Sequence, residues 1–249
     1  MVKFCIFTTQ RSGSSWLGTM LNSHPQIKEC GEIFFRSRKP KLTDPSLQSF
    51  FEFKQDRLGE FRPKLVFEYL KTLDQYTDQH DAVGFKFMYG QIIRRPEVLI
   101  KLVTDQYKII HLIRDNYLDV ILSTQLAREY KLFHSQVEVE VGKVALEPSW
   151  LIKSLHKQDL KVKGSKLLLS ALPNPVLEIT YDQLYQHTDE TLEKIISFLK
   201  IPEQQQEFVL ESKLRKINKK NHREVIANFT DVQTALATTK FTTFLNTTD

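Results

Sequence analysis

A chain of 249 residues is long enough for one large α/β domain, with two domains as the alternative. Its content of 41% hydrophobic and 26% charged residues is ordinary for a soluble globular protein. The net charge of +5 is a mild basic excess that suits anionic small molecules, and it is too small and too scattered to indicate nucleic-acid binding by itself.

The predicted elements alternate between buried strands and helices. In chain order they are a strand at 3–9, a helix at 13–23, an aromatic-rich helical region at 46–79, a strand at 81–89, a helix opening at Pro96, a strand at 107–115, helices at 116–131 and 148–170, a strand turning into a loop at 175–184 and a helix around 192–199. A short apolar piece at 27–35 follows the first helix. The order predicts one α/β domain over residues 1–249, built on a P-loop-like, doubly wound parallel sheet flanked by helices.

The loop after the first strand reads TTQRSGSSW and is rich in groups that bind anions. Backbone N–H groups from Ser12 to Ser15 would point at an anion where the helix begins, and Gly13 permits its close approach. The hydroxyl of Ser14 adds a donor, and Arg11 adds a fixed charge with forked donors. The Walker pattern is absent, because Ser14 stands where its lysine belongs. The alternative is an ordinary capped helix with a surface arginine.

Three motifs together carry a resemblance to a known family. QRSGSSWLGTMLNSHP resembles the 5′-phosphosulfate loop of sulfotransferases that use 3′-phosphoadenosine 5′-phosphosulfate (PAPS). IIHLIRDNYLDVILST is similar to the family's strand, arginine, helix and serine, and this implies that Arg114 and Ser123 hold the donor's 3′-phosphate. VLEITYDQL resembles a later family segment and implies that Tyr181 contacts the nucleotide.

The resemblance covers residues 3–245 and implies further site residues. Residues 11–16, which end at Trp16, would cradle the 5′-phosphosulfate of PAPS, and adenosine 3′,5′-bisphosphate (PAP) would be the product. The family's C-terminal basic contact to the nucleotide falls to Lys216 or Arg215.

The sequence departs from the cytosolic sulfotransferases of small phenols and steroids. Those enzymes carry lysine where Arg11 stands, and their arginine-to-serine spacing is one shorter than the nine residues from Arg114 to Ser123. Their histidine base lies two positions after the lysine that aligns with Lys86. That position is Met88, which cannot accept a proton.

Glu32 is the implied replacement for the missing base. It matches the general base of carbohydrate, tyrosyl-protein and bacterial glycolipid sulfotransferases, and this implies a hydroxyl acceptor on a sugar, glycolipid or natural product. In-line transfer needs a group that takes the proton of the attacking hydroxyl. The alternatives are a salt-bridging role for Glu32, or Glu29 as the base.

Lys86 lies inside an otherwise apolar strand, where a lysine is costly unless its charge is used or reaches water. Contact with the bridging or leaving oxygen would stabilise the charge that develops during transfer, as would Arg11. Escape of the side chain to solvent at the strand end is the alternative.

Other functions remain open at this point. They are a catalytically inactive protein that binds PAP or PAPS, a P-loop nucleotide kinase, and a nucleic-acid module resting on the basic residues 213–223. The kinase lacks its lysine, and no recognised nucleic-acid module is present. No His, Cys and Asp cluster has the spacing of a metal site, and we expect no metal.

No run approaches 18 apolar residues, and no signal peptide is visible, so we expect a cytoplasmic enzyme without a membrane span. Cys5 and Cys30 show no ligand spacing and are expected to be buried free thiols. The expected partner is a small-molecule, carbohydrate or lipid acceptor.

Overall fold

The computed structural model describes residues 1–35, 42–44, 46–55, 57, 59–76, 79–130, 142–202 and 221–245. Its strands all lie in one sheet with the order β2-β3-β1-β4-β5, and every neighbouring pair is parallel. The strands are β1 (Val2–Thr8), β2 (Ile27–Glu29), β3 (Ala82–Met88), β4 (Lys108–Ile113) and β5 (Val176–Thr180).

Eleven helices are present in the described residues. They are α1 (Ser14–Leu21), α2 (Phe50–Gln55), α3 (Arg62–Lys71), α4 (Tyr89–Ile92), α5 (Glu97–Thr104), α6 (Tyr117–Glu129), α7 (Pro148–Ser170), α8 (Tyr181–Gln186), α9 (Thr188–Leu199), α10 (His222–Val225) and α11 (Phe229–Leu236), with short 3-10 turns at Thr72–Tyr76 and Thr242–Leu245. Within the described part of the chain, none of them is both long and apolar enough to cross a bilayer.

The strand order creates a switch point beside β1. The chain leaves β1 toward β2 on one side, whereas it leaves β4 toward β5 on the other side. Ligands of open parallel sheets bind in the crevice outside the carboxyl ends of two such strands. The loop that follows β1 therefore lies at the edge where a ligand site is expected.

Apolar layers cover both faces of the sheet. On one face, strand residues such as Ile6 and Ile110 pack with α1 and α9. On the other face, aromatic rings interlock between the strands and the helices, as where Phe34 contacts Phe87 and Tyr69 at ring-centroid distances of 5.9 and 5.8 Å. The predicted α/β class with a parallel, helix-flanked sheet is confirmed.

The apolar piece at 27–35 contributes β2 at the sheet edge. Two details of the predicted element order are wrong. The segment 175–184 does not run from a strand into a loop, because α8 begins at Tyr181. The region 46–79 is not one helical stretch, because α2 ends at Gln55 and α3 begins at Arg62. Between them Gly59 adopts φ of 94°, a left-handed value that no continuing helix allows.

The chain divides into two compact units. The first comprises Met1–Ile113 and Leu168–Ser212 and holds the whole sheet. The second comprises Arg114–Leu167 and Lys213–Asp249, and its core is formed by apolar residues of α6, α7, α11 and the segment around Phe241. A single domain over 1–249 stays a prediction.

Both cysteines are buried free thiols in the first unit, as expected. Burial raises the pKa of Cys5 and Cys30, and the nearby Glu29 adds to the rise. Neither thiol is therefore a ready nucleophile, because the reactive form is the thiolate.

Candidate functional site

The loop after β1 has the backbone form of an anion-binding turn. Arg11 and Gly13 take left-handed φ values of 63° and 87°, and α1 begins at Ser14. Successive N–H groups in such a turn form a concavity that binds anions, and the positive end of a helix adds to the attraction. A left-handed conformation is uncommon for an arginine, and here it sets the direction in which the chain enters the loop.

The loop is anchored to the sheet by a hydroxyl. Thr8 Oγ1 lies 2.6 Å from the Leu112 carbonyl oxygen of β4, to which it donates, and 2.6 Å from Ser12 Oγ. Thr8 and Ser12 are both fully buried. The loop is therefore tied to the two strands that border the switch point.

Aromatic rings from three positions pack beside the loop. A Cβ atom at Gly13 would lie 2.5 Å from Cδ2 of Tyr181, so only glycine allows this ring to approach. The ring of Trp16 lies 6.3 Å from that of Tyr181, and Tyr181 stacks on Tyr185 at 6.0 Å. The structure thus brings together three predicted site residues, Gly13, Trp16 and Tyr181. It adds Tyr185, which the sequence motifs did not indicate.

Lys86 is buried on β3 and faces a buried carboxylate. Its Nζ atom lies 3.9 Å from Oε2 of Glu29, and the two side chains are 6% and 0% exposed. The alternative in which Lys86 reaches solvent at the strand end is therefore wrong. Its charge is offset inside the protein, as buried charges require.

Gly31 connects this ion pair to Glu32. Its N–H donates to Glu29 Oε1 at 2.7 Å, and its carbonyl oxygen accepts from the Lys86 backbone N–H at 2.9 Å. Gly31 has φ of 87°, so the chain turns sharply after β2 and presents Glu32 next.

The surroundings of Glu29 shift the pKa of its carboxyl group. Burial raises the pKa of Glu29, while Lys86 and the Gly31 N–H oppose the rise, and the negative charge of Glu32 reinforces it. Glu29 is fully buried, and a Cβ atom at Gly18 of α1 would lie 2.6 Å from its Oε2. Glu29 is thus enclosed on this side by α1 and lies beside Lys86, and Glu32 is buried as well, with 4% of its surface exposed.

Arg114 and Ser123 belong to the second unit. Arg114 directly follows β4, and its Nη2 donates to Asp119 Oδ2 at 2.8 Å. Ser123 lies half-buried on α6, four residues after Asp119. The predicted contacts Lys216 and Arg215 lie outside the described residues.

A second partner of Asp119 comes from a distant part of the chain. His222 Nε2 lies 2.7 Å from Asp119 Oδ1, and His222 is 4% exposed. Burial would raise the pKa of Asp119, but the hydrogen bond from His222 and the charge of Arg114 outweigh it and hold the pKa below its ordinary value. Sequence reasoning missed both residues, although the spacing of Asp119 and Ser123 on one helix face was a usable signal.

The imidazole of His111 contacts two side chains. Its Nε2 lies 2.6 Å from the Tyr89 hydroxyl and its Nδ1 lies 3.2 Å from Glu178 Oε2. No group of three or more His, Cys, Asp or Glu side chains within the described ranges is arranged to hold a metal ion.

Comparisons with known proteins give the family and the fold. The family model described as "Sulfotransferase domain" matches residues 2–243. The crystal structure of a sulfotransferase from Alicyclobacillus acidocaldarius matches with a TM-score of 0.51 and 15% identity, over 99% of this chain and 96% of that one. The crystal structure of mouse sulfotransferase SULT7A1 complexed with PAP matches with a TM-score of 0.45 and 15% identity, over 97% and 74% of the two chains. A comparison with curated proteins finds no match.

Proposed function

The chain belongs to the sulfotransferase domain family, and from this premise we propose that it transfers a sulfuryl group from PAPS to a hydroxyl group of an acceptor. The observation that carries the proposal is the joint placement of Lys86 and Glu32. The Lys86 backbone N–H donates to the Gly31 carbonyl oxygen at 2.9 Å, so the backbone of Lys86 lies beside the residue that precedes the proposed base, and the buried Lys86 Nζ atom lies 3.9 Å from Glu29 Oε2.

The donor site is proposed to consist of two phosphate-binding parts. The loop residues Arg11 to Trp16 would hold the 5′-phosphosulfate through backbone N–H groups, the hydroxyls and the Arg11 guanidinium. Arg114 and Ser123 would hold the 3′-phosphate. Tyr181 would contact the nucleotide beside the loop, and Lys216 is the proposed C-terminal contact.

Glu32 is proposed to act as the general base. PAPS supplies an activated sulfuryl group, whose bond to the 5′-phosphate breaks as the acceptor oxygen bonds to sulfur. The Glu32 carboxylate takes the proton of the acceptor hydroxyl, a role worth a factor of about 10²–10⁴ in rate. Lys86 and Arg11 offset the negative charge that grows on the departing phosphate oxygen.

The acceptor is proposed to be a hydroxyl of a sugar, a glycolipid or a natural product. A glutamate base in place of a histidine supports this assignment by its resemblance to the carbohydrate and glycolipid enzymes. The competing function is binding of PAP or PAPS without transfer, and a nucleotide kinase is a weaker competitor because the loop lacks the Walker lysine.

Calorimetric titration of the purified protein tests the donor site. We expect PAP to bind, with AMP much weaker because it lacks the 3′-phosphate, and ADP and ATP without the preference that a kinase would show. Tight binding of ATP with magnesium and none of PAP would contradict the proposal. Once PAP binding is established, PAP release from PAPS with a panel of hydroxyl compounds separates an enzyme from an inactive binding protein.

A further inference from the structure

The guanidinium of Arg114 stands at one end of a chain of three hydrogen-bonded side chains within the second unit. Arg114 Nη2 lies 2.8 Å from Asp119 Oδ2, and His222 Nε2 lies 2.7 Å from Asp119 Oδ1. Because a carboxylate only accepts, both nitrogens carry the hydrogen of their bond. Each oxygen of Asp119 thus serves a different partner.

The carboxylate in the middle of this chain is itself fixed. Asp119 lies in the first turn of α6, where the Asn116 side chain accepts from its N–H at 3.3 Å and caps the helix. The Asn116 Nδ2 atom donates to the Phe244 carbonyl oxygen at 3.0 Å. His222 is 4% exposed, and its Nδ1 is buried without a hydrogen-bond partner in the described part of the chain. Burial of this kind leaves the imidazole little freedom to rotate away.

Helix geometry relates this anchor to the second proposed phosphate contact. Residues four apart on a helix lie on one face, so Ser123 is one turn beyond Asp119 on the same side of α6. A bond to Asp119 therefore draws the Arg114 guanidinium toward the helix face that carries Ser123. A guanidinium has five N–H donors, so it can bond to Asp119 and to a phosphate at once.

We propose that Asp119 and His222 are positioning residues that hold Arg114 in the orientation that binds the 3′-phosphate of the donor. This inference rests on the proposed function, since it presumes that Arg114 meets a 3′-phosphate. A free arginine side chain must lose rotational freedom when it binds, whereas one that is already hydrogen-bonded has lost most of it in advance.

The negative charge of Asp119 could instead weaken the binding of the 3′-phosphate. An anion this close to Arg114 repels an incoming phosphate, and removing it would then tighten binding. The two roles separate cleanly with two variants. Asp119→Asn removes the charge but keeps an oxygen that can accept from Arg114, whereas Asp119→Ala removes both.

The test is titration of each variant with PAP and with AMP, which differ by the 3′-phosphate alone. We expect Asp119→Ala to weaken PAP about tenfold, the usual value of one hydrogen bond to a charged group, and to leave AMP within about twofold of wild type. Asp119→Asn should keep PAP within about threefold of wild type, because the acceptor oxygen is retained. His222→Leu removes one of the two partners of Asp119, and its PAP affinity should fall between those of Asp119→Ala and Asp119→Asn. This variant replaces Asp119→Ala in the test if Asp119→Ala does not fold.

The matched control is Asp231→Ala, which removes an exposed aspartate from the first turn of another helix, α11, in the same unit. It should leave both affinities unchanged. Unchanged or tighter PAP binding by Asp119→Ala would overturn the inference, as would an equal loss of PAP and AMP affinity. If Arg114→Ala weakens PAP while Asp119→Ala does not, the proposed function stands and the inference fails. If the wild-type protein binds PAP no more tightly than AMP, both fail.

Discussion

Lys86 and Glu29 form a buried ion pair in which Nζ and Oε2 are 3.9 Å apart. That separation is beyond hydrogen-bond length, and Oε2 has no hydrogen-bond partner among the described residues. The attraction between the two groups is therefore electrostatic, and the Gly31 N–H bonds to the other carboxylate oxygen, Oε1, at 2.7 Å. The stability of the fold and the charge state of the site are linked at this pair.

Glu29→Gln should change how stability depends on pH. Burial raises the pKa of Glu29 above its ordinary value of 4.5, so at pH values between the unfolded and folded pKa the folded protein binds more protons at this group than the unfolded chain does. Stability then falls as pH rises from about 4.5 through the higher pKa of the folded state. Relative to wild type, Glu29→Gln should therefore gain free energy of unfolding as the pH rises above about 4.5.

Urea unfolding of both proteins at several pH values measures this difference. The exposed Glu193 of α9 supplies the control, and Glu193→Gln should track wild type across the range. A constant difference between Glu29→Gln and wild type at all pH values would mean that Glu29 has an ordinary pKa in the folded protein.

Gly18→Ala should destabilise the protein although alanine favours helices. The added Cβ atom would lie 2.6 Å from Glu29 Oε2, and a carboxylate that is fully buried cannot move aside cheaply. We expect a loss of about 1–3 kcal/mol, the usual cost of overpacking. Gly164→Ala in α7 is the matched variant, because nothing lies within 4 Å of its new Cβ atom, and it should gain about 0.5–1 kcal/mol. Opposite signs in thermal or urea unfolding are the expected result.

Gly13→Ala should reduce stability by more than its backbone conformation alone explains. Its φ is 87° and its Cβ atom would lie 2.5 Å from the Tyr181 ring. Gly59 has φ of 94° with nothing within 4 Å of a Cβ atom, so Gly59→Ala measures the backbone cost alone, about 1–2 kcal/mol. The excess loss in Gly13→Ala reports the clash with Tyr181. Equal losses in urea unfolding would show that the ring yields freely.

Glu32→Gln should abolish sulfuryl transfer while PAP affinity stays at the wild-type value. The amide keeps the shape of the side chain but cannot take a proton, so only the chemical step is affected. PAP formed from PAPS with an accepted hydroxyl compound measures transfer, and calorimetry measures binding. Full activity in Glu32→Gln would move the base to another residue.

Arg114→Ala should weaken the binding of PAP by about 1.5–3 kcal/mol, the value of a hydrogen bond to a charged group. The affinity for AMP should stay nearly unchanged. The pair of nucleotides isolates the 3′-phosphate from the rest of the ligand. A loss shared equally by PAP and AMP would assign Arg114 to another part of the nucleotide.

Much of the sheet could be predicted from the sequence because four strands are continuous apolar runs bounded by polar turns. The helix predicted at 148–170 coincides with α7. The break in 46–79 could not be read from periodicity, since aromatic residues such as Phe50 and Tyr69 are buried on both sides of it. Gly59, with its left-handed φ, lies between the two helices.

The sequence likewise predicted only some of the residues of the candidate site. The loop residues and Arg114 are local in sequence, so their motifs indicated them directly. The hydrogen bond between His222 and Asp119 joins residues that are 103 positions apart. The burial of Glu29 depends on the absence of a side chain at Gly18. Contacts of this kind are set by tertiary packing, and no spacing within the sequence encodes them.

The position of Trp16 gives the protein an optical reporter of its own. The chain has two tryptophans, and Trp16 sits in the first turn of the helix that follows the anion loop, with its ring 6.3 Å from that of Tyr181. The other, Trp150, lies in the first turn of α7 and is 39% exposed. In a Trp150→Phe background, indole emission would come from Trp16 alone, beside the loop that is proposed to bind the donor. Occupancy of that loop could then be followed in stopped-flow experiments without a labelled nucleotide or any knowledge of the acceptor.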